Sequence, residues 1–84
     1  MEKADFISKL KKILEPYVQD QSAFQALSED TEFIRDLKIN SANLVDVILD
    51  VEDEFDIRIE NDEMEQMLSV KAAMDIVESK LSNL

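Results

Sequence analysis

Glycine, cysteine, histidine and tryptophan are absent from this 84-residue chain, and its only proline is Pro16. Each absence removes a class of function. Without cysteine or histidine there are no disulfides, no thiolate nucleophile, none of the usual zinc ligands and no general base of ordinary pKa near neutrality. Without glycine, the loops that cradle nucleotide phosphates are excluded, and folds rich in tight hairpins lose their usual turns. Cations are scarce as well: 9 basic residues stand against 20 acidic ones, and the net charge of −11 repels nucleic acid. No apolar run approaches a membrane span, and Met1-Glu2-Lys3-Ala4-Asp5 does not open a signal peptide, so a cytoplasmic protein is expected. An enzyme is not.

What is present suits one small soluble domain over residues 1–84. With 45% hydrophobic and 35% charged residues, the chain can fold rather than stay disordered. At this length it buries roughly 60% of its unfolded surface, enough for one modest core. Phe6, Ile7, Leu10, Ile13 and Leu14 recur at helical spacing and predict a helix over about 3–14, ended by Pro16, which restricts the residue before it. From Tyr17 to Asn40 no period survives. Phe24, Leu27, Phe33, Ile34 and Leu37 are the expected anchors of that long connection.

A stronger pattern follows. Val47, Ile48, Val51 and Phe55 lie three, four, seven and eleven residues after Leu44, which predicts one buried face on a helix over 41–55, with Asn40 as its N-cap. Asn61 to Met67 reads as a short helix with Ile59, Met64, Met67 and Leu68 inward. Ser69 is expected to cap a last helix over about 70–81, which repeats the same offsets from Val70 through Ala73, Met74 and Val77 to Leu81. The fold class is therefore all-α: a small four-helix bundle of three main helices, a short third helix and a long first loop.

Charge is unevenly spread. Residues 39–69 hold ten acidic side chains and one basic, Arg58, whereas most lysines fall on the first helix. A strongly negative field around the second helix implies a basic partner surface; a solvated face that maintains solubility has the same composition. On that helix Ala42, Val45 and Leu49 sit on a flank turned away from the Leu44–Phe55 stripe, beside Asp46 and Asp53. Such a strip is either a docking surface, apolar in the middle and charged at the rim, or packing for the neighbouring loop and short helix. The acidic groups do not make a calcium loop, because alternating oxygen ligands about a central glycine are missing. No carboxylate pair shows a setting that would separate two pKa values for hydrolysis.

The segment Asp36-Leu37-Lys38-Ile39-Asn40-Ser41-Ala42, the helix that closes on Glu54-Phe55-Asp56, then Ile57-Arg58-Ile59, the acidic third segment and Val70-Lys71-Ala72-Ala73-Met74-Asp75 resemble the acyl carrier protein family. Phe33 and Ile34 fit the same pattern, and the likeness spans nearly the whole chain, thinnest from Pro16 to Ala26. The resemblance implies a carrier rather than a catalyst. A serine at this position bears a 4′-phosphopantetheine arm, transferred from coenzyme A by a phosphopantetheinyl transferase, and the thiol of that arm holds acyl groups as thioesters. By position, Ser41 is the attachment site. Ala42, Val45, Asp46, Leu49, Asp50, Glu52 and Asp53 are then the docking residues for the transferase and for acyl-processing enzymes with basic patches, in fatty-acid, polyketide or related synthesis. A monomer is implied.

Three positions depart from the family pattern. Asn40-Ser41-Ala42 stands where Asp-Ser-Leu is usual, and Lys38 stands where glycine is frequent. Asparagine keeps the cap but removes a charge that a transferase or its metal reads. These changes point to a specialised carrier or to an unmodified interaction module of the same fold. Carriers of aminoacyl or D-alanyl groups share the architecture. Met64, Met67 and Met74 read either as lining for a bound acyl chain or as ordinary core.

Overall fold

The computed structural model describes residues 2–82. Five α-helices follow in order: α1 (Lys3–Leu14), α2 (Gln21–Gln25), α3 (Ser41–Phe55), α4 (Asn61–Gln66) and α5 (Val70–Ser82), with a 3₁₀ turn at Glu15–Tyr17. Among the described residues there is no strand, only a single antiparallel bridge between Glu32 and Ser69. The three long helices fall where apolar periodicity places them. Pro16 lies in the 3₁₀ turn that ends α1, where its missing amide is tolerated at the start of a new turn.

The core is built from one face of each long helix. Phe6, Leu10 and Leu14 of α1 pack with Leu44, Val47, Ile48, Val51 and Phe55 of α3 and with Val70, Ala73, Met74 and Val77 of α5. The Phe6 and Phe55 rings stack with centroids 5.5 Å apart, which ties the start of α1 to the end of α3. Lysines on α1 also contribute packing: the Lys9 ammonium lies over the Phe55 ring and that of Lys11 over the Phe24 ring.

The long connection is more ordered than its sequence indicates. It contains α2, whose five residues are too few to show a helical period; Asp20 caps it by accepting from the Ala23 amide at 3.1 Å. Val18, Phe33, Leu37 and Ile39 reach the core, and Phe24 and Leu27 pack against it. Two expectations fail here. Ile34 is not an anchor but 43% exposed, and Leu68 is not inward but 48% exposed. Both lie where the backbone is not helical. The Phe33 amide donates to the Leu68 carbonyl at 3.0 Å. Ile34 lies on the turn that the Asp36 and Leu37 amides close on the Glu32 carbonyl, with Phe33 and Leu37 inward, and Leu68 follows the buried Met67 in the short link between α4 and α5, so both side chains are left facing out.

α4 is short, and none of its residues is fully buried. It is held at its N-terminal end. A capping box joins Glu60 and Glu63, Lys80 of α5 bonds Glu63 at 2.7 Å, and Glu52 of α3 accepts the Ile59 amide at 2.6 Å. Met67 and Met74 are buried in the core, and Met64 packs against it half-buried.

Candidate functional site

Asn40 ends the long connection in an extended conformation, and its side-chain oxygen accepts from the Ala42 amide at 2.8 Å. Ser41 is therefore the first helical residue of α3, and its side chain is exposed. The first amides of any helix have no carbonyl four residues back, and with the helix dipole they favour negative charge. No acidic residue lies between Lys38 and Val45, so this end of α3 is the least negative part of an otherwise acidic helix.

The connection reaches Ser41 through a tight loop. The Ile39 amide closes it on the Phe33 carbonyl at 3.1 Å, and Leu37 anchors it in the core. The Asp36 carboxylate turns back to accept the Glu32 amide at 2.8 Å. Lys38 takes up the sharp bend with φ of 60°.

Along α3 the outward strip is realised. Val45 is 49% and Leu49 46% exposed, so neither packs under the loop or the short helix, and Ala42, Asp46 and Asp53 are exposed with them. At 100° per residue these five share one side of the helix, opposite the buried Leu44–Phe55 stripe. Asp50 and Glu52 sit differently. Both are half-buried on the margins of the strip, and both have partners within the chain. Asp50 accepts from the Tyr17 hydroxyl at 3.3 Å. Burial first, then the Asp50 carboxylate, raises the Tyr17 pKa. Glu52 is occupied by the Ile59 amide. Sequence reasoning missed these two roles, because each partner lies outside α3.

A separate open depression is lined by Asp56, Ile57, Arg58, Glu60 and Lys80. It includes neither Ser41 nor any methionine. Among the described residues no three potential metal ligands converge, and no helix is long and apolar enough to cross a membrane.

No protein-family model matches the chain. It is similar to the acyl carrier protein of Coprothermobacter proteolyticus, 31% identical over 81 residues and covering 96% of each chain. It is also similar to the acyl carrier protein of Nitratidesulfovibrio vulgaris, 34% identical over 74 residues, covering 86% of this chain and 92% of the relative. In structure it is similar to the crystallised acyl carrier protein of Thermotoga maritima, with a TM-score of 0.81 at 30% identity over 99% of this chain and 94% of that one. The periodicity, the buried stripe of α3, the helix order and these likenesses agree: the chain belongs to the acyl carrier protein family.

Proposed function

We propose that the protein holds acyl groups as thioesters on a 4′-phosphopantetheine arm attached to Ser41, in fatty-acid, polyketide or related synthesis in the cytoplasm. The observation that carries this reading is the position of Ser41. Its side chain is exposed on the first turn of α3, at the head of an apolar strip with carboxylates at its side, in a chain of this family.

The residues present suit the group. Attachment gives the Ser41 oxygen a phosphodiester; the hydroxyl proton passes to the transferase, and the nucleotide part of coenzyme A departs. The diester would carry a negative charge suited to the first-turn amides and the dipole of α3. Asn40 already satisfies the Ala42 amide, so the cap is formed before the arm arrives. When bound, the arm supplies the thiol that this cysteine-free chain lacks. The protein itself orients the serine and offers the docking strip. Ala42, Val45, Asp46, Leu49 and Asp53 meet a basic partner surface directly, and Asp50 and Glu52 add charge from the margins. The protein acts as a monomeric substrate for its enzymes, not as a catalyst.

Intact mass spectrometry after incubation with coenzyme A and a broad-specificity phosphopantetheinyl transferase tests this. The wild type gains one phosphopantetheine and Ser41→Ala gains none. Asn40 and Ala42 favour a second reading, an unmodified interaction module with the same acidic face. Folded wild type that no transferase modifies decides for it.

A further inference from the structure

The surface around Ser41 is not of one sign. Downstream, the outward residues of α3 are apolar or acidic. Upstream, the loop from Phe33 to Ile39 presents a different set. Phe33, Leu37 and Ile39 are buried, and the Asp36 carboxylate is turned inward onto the Glu32 amide. The side chains left outward are Ile34, Arg35 and Lys38. Arg35 is 80% exposed and touches Glu32 only at 3.4 Å, a contact of little energetic weight in water. Lys38 has no ion-pair partner among the described residues. Its left-handed backbone sets it three residues before Ser41, within about 11 Å along even a fully extended chain. The loop cannot swing away, because Leu37 is buried and the Leu37 carbonyl accepts from the Gln19 and Asp20 amides. Two cations thus sit on an anchored loop just upstream of the serine, and Asp46 and Asp53 lie downstream of it along α3.

We propose that the enzymes docking at Ser41 carry a divided contact face, acidic where it meets Arg35 and Lys38 and basic where it meets Asp46 and Asp53, with apolar groups against Ile34, Val45 and Leu49. A uniformly basic face is repelled by the loop as it is drawn to the helix. The loop therefore selects among enzymes that a negative α3 alone attracts equally, since juxtaposed like charges act against the wrong partner. This inference rests on the arm-at-Ser41 reading.

The test uses the full chain and the phosphopantetheinyl transferase of the organism that makes it, with coenzyme A. Steady-state modification is measured for wild type, Arg35→Gln/Lys38→Gln, Arg35→Glu/Lys38→Glu and Asp46→Lys/Asp53→Lys, each first shown folded by thermal melt. All four altered positions are exposed. The Arg35→Glu/Lys38→Glu protein is expected to lose about tenfold in kcat/KM through KM with kcat unchanged, the glutamine pair to fall between, and the helix reversal to lose at least as much. If the loop reversal leaves kcat/KM within about twofold or raises it while the helix reversal still lowers it, the divided face is wrong. If the folded wild type is not modified at all, the Ser41 reading itself falls, and this inference with it.

Discussion

Among the described residues, Lys38 and Asp56 are the two with positive φ, 60° and 54°, in a chain that has no glycine to place there. Asp56 ends α3, where its left-handed turn lets the Ile57 amide reach back to the Glu52 carbonyl at 3.1 Å. Short polar side chains tolerate that conformation; lysine has no such local compensation. Lys38→Gly removes a steric cost of about 1–2 kcal/mol and adds a chain-entropy cost of about 0.5–1 kcal/mol, so a net gain of about 0–1.5 kcal/mol, centred on about 0.75 kcal/mol, is expected. Urea denaturation should show a higher midpoint with an unchanged slope. An unchanged midpoint would mean that the Lys38 bend is not strained. Retention of lysine at a cost in stability fits a side chain that serves recognition.

Between α3 and α4 the connection depends on a single carboxylate. Glu52 accepts the Ile59 amide across seven residues, and Ile59 is itself buried. Glu52→Ala leaves that amide without its partner, at a cost of about 1–3 kcal/mol, whereas Glu52→Gln keeps an acceptor and most of the stability. Hydrogen exchange at Ile59 should quicken in the alanine variant first and most. On the far side of α4, the hydrogen bond from Lys80 holds the Glu63 carboxyl below its ordinary pKa, and the same bond raises Lys80. The two shifts agree in sign, and they define a pH window. The depressed Glu63 contributes stability above its unfolded pKa and loses it as pH falls through the folded value. The raised Lys80 contributes below its unfolded pKa and loses it as pH rises through the folded one. Across neutral pH the bridge is intact. In Lys80→Met the Glu63 titration, followed by carboxyl NMR, should move up toward the ordinary range, with the Glu60 amide still holding part of the depression, and melts of wild type and variant should converge in acid.

These contacts explain how far the sequence could be read. The long helices α1, α3 and α5 were legible because each repeats an apolar face over three turns or more, and the cap residues Asn40 and Ser69 stand where that face begins. The strip of Val45 and Leu49 was visible for the same reason, as a second face that the buried stripe does not use. α2 was not visible, since five residues complete little more than one turn. Ile34 and Leu68 show where hydrophobicity alone does not report burial, because their segments have no period to say which way a side chain faces. Glu52 was read as a docking charge, and its bond to Ile59 depends on a loop path that no local pattern encodes. Ser41 stands out only through its resemblance to a known motif; on spacing alone it is an ordinary first-turn serine.

Taken as a whole, the molecule is an acidic body in which several of the cations are used locally. Lys3 pairs with Glu29, Arg35 with Glu32 and Lys80 with Glu63, while Lys9 and Lys11 cover aromatic rings. These arrangements leave the five carboxylates of α3 without a basic partner among the described residues. Salt acts on the two sets in opposite directions. It weakens the three ion pairs, of which the two more exposed have little net weight and the half-buried Lys80–Glu63 pair is screened less, and it screens the repulsion that follows from a net charge of −11. Repulsion sums over many pairs at less than a Debye length, so it dominates, and the melting temperature should rise with sodium chloride. A gain of about 5 °C between 10 mM and 500 mM corresponds to roughly 1 kcal/mol for a domain of this size. Chloride is the suitable anion, because sulfate would strengthen apolar burial as well and mix two effects. Millimolar divalent cation should give the same sign at lower ionic strength. The gain should shrink in Asp46→Asn/Asp53→Asn, which removes two charges from the exposed face without touching the core. A melting temperature flat in salt, or the same slope in that variant, would show that crowded carboxylates on α3 are not what limits stability, and that the acidic face is held at little cost to the fold.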